Sequence, residues 1–563
     1  MTAIRELAEL CVNLERVSGK NDKVVLVTRF LRRLRPGEIG VGVRFVIGRV
    51  FPVWDQRELN VGGATFLRSL ELAVGSLEGL RALYRKTGDV GEAVRQFLKQ
   101  RKPSQRTLLG EETKGLELLE VYRVFERIAE AVGPGSQERK RQLLAGLLRR
   151  CSPLEAKYVT KLAIGEEMRH GVGPGLMEEA IAAAFEIPDR IVRRAHMLLG
   201  DLGDVAERAH RGERLDALGI VLGRPLYPML AEPMPSVKDA IEELGLAAYE
   251  FKLDGARVQI HCQRPHVWIF SRRLNEVTPS IPEIVQQVLE GVKGDCFVLE
   301  GELVAISPEN QRPLPFQYVM RRFRRIHGIA EEAKKIPLKL YLFDVLHYEG
   351  EDLIDRPYRE RRALLERIVS GIDLVPQIVS RSVDEVEAFL QRAIEAGHEG
   401  LMGKRLDAPY TPGSRGKLWV KIKPAPETLD LVIIAAEWGH GYRRNWLSDY
   451  YLAARDPNTG EFLCVGKTYT GLSDSEIREM TRRLLQLKIR EEGRVVIVRP
   501  AIVVEVGFAE VQKSPHYKSG LALRFARILR IRDDKSPEEA DTIERVRQIY
   551  EQQFRYKGAA RPS

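Results

Sequence analysis

Residues Tyr249–His261 read YEFKLDGARVQIH. Tyr249, Phe251, Val258 and Ile260 give the run the apolar content of a strand, yet Lys252, Asp254 and Gly255 interrupt its centre. An ammonium in such a run is costly to bury unless it snorkels to water or has a chemical use. K-x-D-G alone says little, since average composition produces it in about one chain in ten of this length. As chemistry, lysine attacks phosphorus only when neutral, and desolvation or neighbouring cations favour that form. Arg257, Lys404, Lys421 and Lys423 are the cations a fold could gather around Lys252.

Texture changes on both sides of this stretch. Pro225, Pro228, Pro233 and Pro235 mark a linker or domain entry. After them the β-rich runs VWIFSRR, CFVLEGELVAI, LKLYLFDVLHY and LWVKIK alternate with helical patterns such as VDEVEAFLQRAIEAG, which predicts an α+β domain over residues 221–424. Upstream, residues 1–220 predict amphipathic helices punctuated by Pro-Gly, Gly-Pro-Gly and Ser-Pro breaks. Downstream, residues 425–563 predict short strands of a small barrel, interrupted by the helix SDSEIREMTRRLLQL and ending in a frayed YKGAARPS tail.

The whole chain has 563 residues and a formal net charge of +10, which favours polyanionic partners and nucleic acid first. Its five scattered cysteines form no CxxC pair, which argues against a structural zinc site or a disulfide framework. The N-terminal residues lack a signal-peptide h-region, and no apolar run approaches the ~20 residues of a membrane span. A soluble intracellular protein is expected.

Six stretches in order then raise K-x-D-G above coincidence: EFKLDGAR, FSRRLNEV, VLEGELVA, LYLFDVLH, HEGLMGKRLDAPYTPGSRGKLWVKIKP and LRFARILRIRDDKS. They resemble motifs I, Ia, III, IIIa, IV, V and VI of the covalent nucleotidyltransferases, and with the helical N-terminal region they look most like ATP-dependent DNA ligases of the archaeal and eukaryotic replicative type. The resemblance implies a helical DNA-binding domain, an adenylation domain and an OB-fold barrel carrying motif VI. It implies that Lys252 takes AMP as a phosphoramidate. Glu250 would read the adenine, Phe343 would stack on it, and Arg257 and Arg272 would contact ribose and phosphates. Glu302 would hold the ribose or a metal, and Glu399 a divalent metal. Arg415, Lys421 and Lys423 would grip the phosphates. Arg524, Arg527 and Lys535 of the barrel would swing over the site to orient the leaving pyrophosphate.

The implied cofactors are ATP and Mg²⁺ or another divalent cation. The implied substrate is nicked double-stranded DNA, sealed during replication, repair and recombination by a monomeric enzyme in an archaeal cytoplasm, at the nucleoid. GVRFVIGRVFP and VGGATF look like parts of a domain that grips phosphates across the minor groove, so that the three domains encircle a nick. Gln105, Leu108 and Leu109, in KQRKPSQRTLLGEE, resemble a sliding-clamp-binding peptide. Capping enzymes lack the helical region, RNA ligases are shorter, and NAD-dependent ligases carry a cysteine-rich zinc module. An RNA ligase, or a non-catalytic DNA binder on a decayed ligase scaffold, stands as the alternative.

Overall fold

A computed structural model describes residues 2–553, apart from 101–114, 324, 326, 414, 425–426 and 440–442. Gln105, Leu108 and Leu109, and the C-terminal tail, lie outside the described residues. From Ile4 to His210 the described elements are all helices. The Ser-Pro break shows how sequence punctuates them. The helix Ser136–Arg150 stops, Ser152 accepts a bond from the Glu155 amide, Pro153 occupies the first turn, and the next helix runs Pro153–Ile164 to a left-handed Gly165. These helices close over one core that includes Leu14, Phe45, Phe125, Leu144 and Tyr158.

Twenty strands follow among the described residues. The central domain holds β1 (Leu230–Met234), β2 (Ala247–Lys252), β3 (Ala256–Gln263), β4 (His266–Ser271), β5 (Cys296–Ala305), β6 (Leu338–Tyr348), β7 (Glu351–Asp352), β8 (Asp373–Leu374), β9 (Gln377–Ser380), β10 (Gly400–Arg405) and β11 (Arg415–Ile422). The C-terminal domain holds β12 (Thr428–Trp438), β13 (Leu447–Arg455), β14 (Phe462–Thr468), β15 (Lys488–Glu492), β16 (Val495–Val498), β17 (Val503–Gly507), β18 (Glu510–Lys513), β19 (Leu521–Arg524) and β20 (Arg527–Ile531).

Two sheets build the central domain. The first runs β1-β11-β10-β2-β9, and the second β4-β3-β5-β6-β7 with β8 paired to β6. The helices Val237–Leu244 and Val383–Glu395, capped by Ser236 and Ser382, cover the first sheet through Ala240, Leu244, Phe389 and Ala393. Between the sheets lies a separate cluster of Leu253, Phe343, Tyr410 and Trp419, which also takes in Leu198 from the helical domain and Leu226 and Met229 from the linker. The proline-rich linker is thus more than a spacer. Its end becomes β1, an edge strand parallel to β11, where Pro233 is tolerated because an edge strand has an unpaired side.

In the C-terminal domain β14-β13-β12-β16-β15 form one sheet, β17 bridges β12 to β20, and β18 pairs with β19. The all-β barrel encloses Leu431, Leu452, Val504 and Ile528, with the helix Asp474–Gln486 packed against it through Met480 and Leu484. No helix among the described residues is long and apolar enough to cross a membrane.

Candidate active site

The opening stretch is two strands in different sheets. β2 ends at Lys252 in the first sheet, and after Leu253-Asp254-Gly255 the chain re-enters as β3 in the second. Gly255 is needed at this crossing because a Cβ there would run into the Leu303 carbonyl oxygen of β5. The close approach that selects glycine is therefore to protein backbone.

Register then brings a carboxylate to the lysine. Lys252 lies opposite Gly400 in the antiparallel β2–β10 pair, and the Glu399 amide donates to the Lys252 carbonyl at 2.9 Å. Gly400 has φ +145°, and a Cβ on it would strike the Ile422 carbonyl of β11, so only glycine lets Glu399 turn in here. Lys252 Nζ pairs with Glu399 Oε2 at 2.6 Å, and Lys423, just past the end of β11, pairs with the same oxygen. Burial alone would push the Glu399 carboxyl up, but Lys252 and Lys423 outweigh it and bring it down to about 2. Glu302 on β5 is pushed up to about 8, first by burial, against the pull of Lys252 and Arg257 and with the repulsion of Glu399 and Asp254.

Of the four cations expected around Lys252, the structure brings Lys423 to the shared carboxylate. Lys404 and Arg257 have other partners. Lys404 is buried, with Nζ 2.6 Å from Glu250 Oε2 and 4.5, 4.4 and 4.8 Å from the ring centres of Phe343, Trp419 and Tyr358. Burial holds its pKa below the usual lysine range, against the pull of Glu250. Glu250 also accepts from the Tyr358 hydroxyl, from Gln377 Nε2 at 3.0 Å and from Arg362 at 3.5 Å. Arg257 donates to the Met229 carbonyl at 2.7 Å, to Glu300 at 2.5 Å and to the Tyr410 hydroxyl at 3.2 Å, with its guanidinium 5.3 Å from the Phe343 ring centre.

Phe343 is buried on β6 and meets Trp419 edge to face at 6.4 Å. Lys421 lies on β11 opposite Met402. Arg415 opens β11, with its backbone opposite Leu230. Arg272 follows the end of β4 and is exposed on the wall of a cleft facing the helical domain. The barrel residues are engaged by other groups or exposed. Arg524 pairs with Glu510 at 2.8 Å and lies over Phe316 of the central domain at 5.0 Å, Lys535 pairs with Asp430 at 2.6 Å, and Arg527 is exposed.

Trp419, Tyr410, Tyr358, Arg362, Gln377 and Glu300 escaped the sequence reading. For Trp419 a signal existed: it shares strand parity with Lys421. Among the described residues no group of three or more His, Cys, Asp or Glu side chains forms a ready-made metal cage. The donor set does fit a hard cation that takes its remaining oxygens from phosphates and water, since Glu302 and Glu399 repel each other beside Lys252.

A lysine at the crossing of two sheets, a carboxylate set into register beside it and an appended barrel define the covalent nucleotidyltransferase class. Family matches subdivide the chain: "DNA ligase N terminus" over residues 3–182, "ATP dependent DNA ligase domain" over 228–423 and "ATP dependent DNA ligase C terminal region" over 443–535. The chain is 47% identical over 560 residues to the DNA ligase of Thermococcus onnurineus, covering 98% of each. It is also 47% identical over 554 residues to DNA ligase 1 of Korarchaeum cryptofilum, covering 98% of this chain and 99% of that one. A solved structure titled "Pmar-Lig_Pre." shares the fold at a TM-score of 0.56 and 17% identity, over 94% of this chain and 99% of that chain. The chain belongs to the ATP-dependent DNA ligase family.

Proposed function

We propose that this chain seals nicks in duplex DNA through an AMP adduct on Lys252. The observation that carries the reading is the pairing of Lys252 with Glu399 at 2.6 Å, beside Glu302, where β2 leaves one sheet for the other. The proposed division of labour follows the domain limits 1–220, 221–424 and 425–563.

In the first step the neutral Lys252 amine attacks the α-phosphorus of ATP. A P–N bond forms, the bond to pyrophosphate breaks, and the amine gives up a proton. In the second, an oxygen of the 5′-phosphate at the nick attacks the adduct phosphorus, a P–O–P bond forms as the P–N bond breaks, and the departing nitrogen takes up a proton to return as the amine. In the third, the 3′-hydroxyl attacks the 5′-phosphorus and AMP leaves. Glu302 and Glu399 would hold Mg²⁺, which neutralises charge developing on the phosphates. Phe343 would offer the adenine a ring, Glu250, linked to that ring through Lys404, would read the base, and Arg257, Arg272, Arg415, Lys421 and Lys423 would supply the cations. The buried partners of Glu250 fix its carboxylate, which suits a group that reads one base.

Incubation with α-labelled ATP and Mg²⁺ tests this. A covalent AMP adduct is expected on the wild type and lost in Lys252→Ala, and no adduct on the wild type would favour the non-catalytic DNA binder. GTP, ADP and NAD run in parallel define the cofactor, and nicked RNA in place of DNA tests the RNA-ligase alternative. The enzyme is proposed to act as a monomer inside the cell, with Gln105, Leu108 and Leu109 docking on a sliding clamp. Unchanged clamp stimulation in Leu108→Ala/Leu109→Ala would remove that partner.

A further inference from the structure

Ala256, Val258, Ile260 and Cys262 of β3 turn into the core of the second sheet. Strand alternation sends Arg257, Gln259 and His261 to the opposite face. Gln259 and His261 are buried there, which polar side chains tolerate when they have partners. The linker supplies those partners. Gln259 accepts from the Leu226 amide at 2.9 Å and donates to the Leu226 carbonyl at 3.3 Å, so one side-chain amide pairs with both backbone groups of one residue. On either side of this contact, Arg257 donates to the Met229 carbonyl at 2.7 Å and His261 Nδ1 accepts from the Gly223 amide at 3.2 Å.

The same linker is tied to the helical domain. The Tyr227 amide donates to the Met197 carbonyl at 3.0 Å, and Arg224 pairs with Asp204 at 3.4 Å and lies over Trp54 at 4.3 Å. The linker is thus a strap fastened to both domains. Gln259 carries its hold on the strap further, to Arg257. Its Nε2 donates to Glu300 Oε1 at 3.4 Å, while Glu300 Oε2 accepts from Arg257 at 2.5 Å. The bonds close a ring that runs from the Leu226 backbone through Gln259, Glu300 and Arg257 to the Met229 backbone. Tyr410 braces the ring, its hydroxyl accepting from the Met229 amide at 2.9 Å and from Arg257 at 3.2 Å.

We infer, on the reading of Arg257 as a nucleotide contact, that Gln259 is a positioning residue for ATP: it orients Arg257 through Glu300 and takes its own orientation from the strap. A guanidinium already held by Met229, Glu300 and Tyr410 loses little freedom when a ligand arrives. Without the Gln259 donor, the Glu300 carboxylate is free to turn and Arg257 turns with it. A contact to ribose and phosphates is made before and during the chemical step alike, so its misplacement weakens binding and spares the rate at saturation.

The test follows Lys252–AMP formation against ATP concentration in full-length protein. Gln259→Met keeps the volume and removes the hydrogen bonds. It is expected to raise half-saturating ATP about tenfold, with the saturating rate within about twofold of wild type. Gln259→Glu keeps the acceptor for the Leu226 amide and loses the donors, and the same rise is expected. Arg257→Lys loses the guanidinium fork and is expected to raise half-saturation at least as far. Arg257→Lys/Gln259→Met is expected to match Arg257→Lys alone, because Gln259 acts through that residue. His261→Gln releases the strap at Gly223 and leaves the Gln259–Glu300 bond in place, so its half-saturation is expected to stay at the wild-type value. Wild-type half-saturation in both Gln259 variants, additive losses in the double variant, or an equal rise in His261→Gln would each overturn the positioning role while leaving the ligase reading in place. A wild type that forms no adduct would remove the ligase reading and the positioning role with it.

Discussion

At the scale of single residues, the most loaded position is Lys404. It is a buried ammonium whose charge is met by Glu250 at 2.6 Å and by the faces of Phe343 and Trp419 at 4.5 and 4.4 Å. Removing one partner of such a pair leaves an uncompensated charge, so Lys404→Met is expected to cost about 3–5 kcal/mol in chemical denaturation. Glu250→Gln in the same chain removes the orphaned carboxylate and should recover a good part of that loss. Equal costs for single and double variants would mean that Tyr358, Gln377 and Arg362 already satisfy Glu250. Gly400 is the second such position. Gly400→Ala puts a Cβ against the Ile422 carbonyl at φ +145°, and a loss of about 1–3 kcal/mol is expected, with Glu399 displaced from Lys252 and adduct formation slowed. Wild-type stability in thermal unfolding would contradict the packing described. Both glycines of the site, Gly255 and Gly400, are visible in the sequence as residues, but their reason is not. Each answers a backbone carbonyl on a strand tens of residues away.

At the scale of elements, the linker between the helical and central domains is fastened by side chains. The Gly223 amide donates to His261 Nδ1 at 3.2 Å, His261 Nε2 meets Gln259 Oε1 at 2.9 Å, and the Leu226 amide donates to that same oxygen at 2.9 Å. Accepting at Nδ1 requires a neutral ring, and burial, with His347 nearby, pushes His261 down to about 3. The unfolded chain takes up a proton near pH 6.5 while the folded chain does not. Stability from this ring is therefore complete above pH 6.5 and is lost as pH falls from 6.5 towards 3, by up to about 1.4 kcal/mol per pH unit. Comparing wild type with His261→Gln across that window checks it, and identical pH slopes would exclude the ring as the cause. Elements of this kind divide by how local their signals are. The Ser152-Pro153 break, the Asp474–Gln486 helix and the β-rich runs could be read because caps, turns and strand alternation are properties of neighbouring residues. The switch from one sheet to the other at Leu253–Gly255, and the edge strand hidden in the proline-rich linker, could not, because pairing partners lie far along the chain. Tyr358 and Tyr410 failed for the same reason: buried aromatic residues look alike until the strands beneath them are placed.

At the scale of the molecule, the six ordered stretches reach from the second domain into the third, and only the arrangement of domains says whether they meet. In this arrangement they do not all meet. Arg524 is engaged by Glu510 and Phe316, Lys535 by Asp430, and Arg527 is exposed, while Lys252 and Glu399 pair with each other on the central domain. If motif VI orients the leaving pyrophosphate, the barrel has to rotate towards the sheet crossing for the first step and away again for DNA to reach the adduct. Arg527 is the cation best placed to test this, because among the described residues no ion pair has to break to release it. Its proposed contact exists only while charge builds on pyrophosphate, so its loss should appear in the rate of one step. Arg527→Ala is expected to slow Lys252–AMP formation by about a hundredfold. Sealing of a nick by enzyme already carrying AMP should stay within a few-fold of wild type, since no pyrophosphate leaves in that step. Single-turnover measurements with ATP, and separately with purified AMP-loaded protein, read the two rates apart. Equal slowing of both would place Arg527 on the DNA rather than on the leaving group, and a wild-type rate of adduct formation would show that the barrel takes no part in the first step.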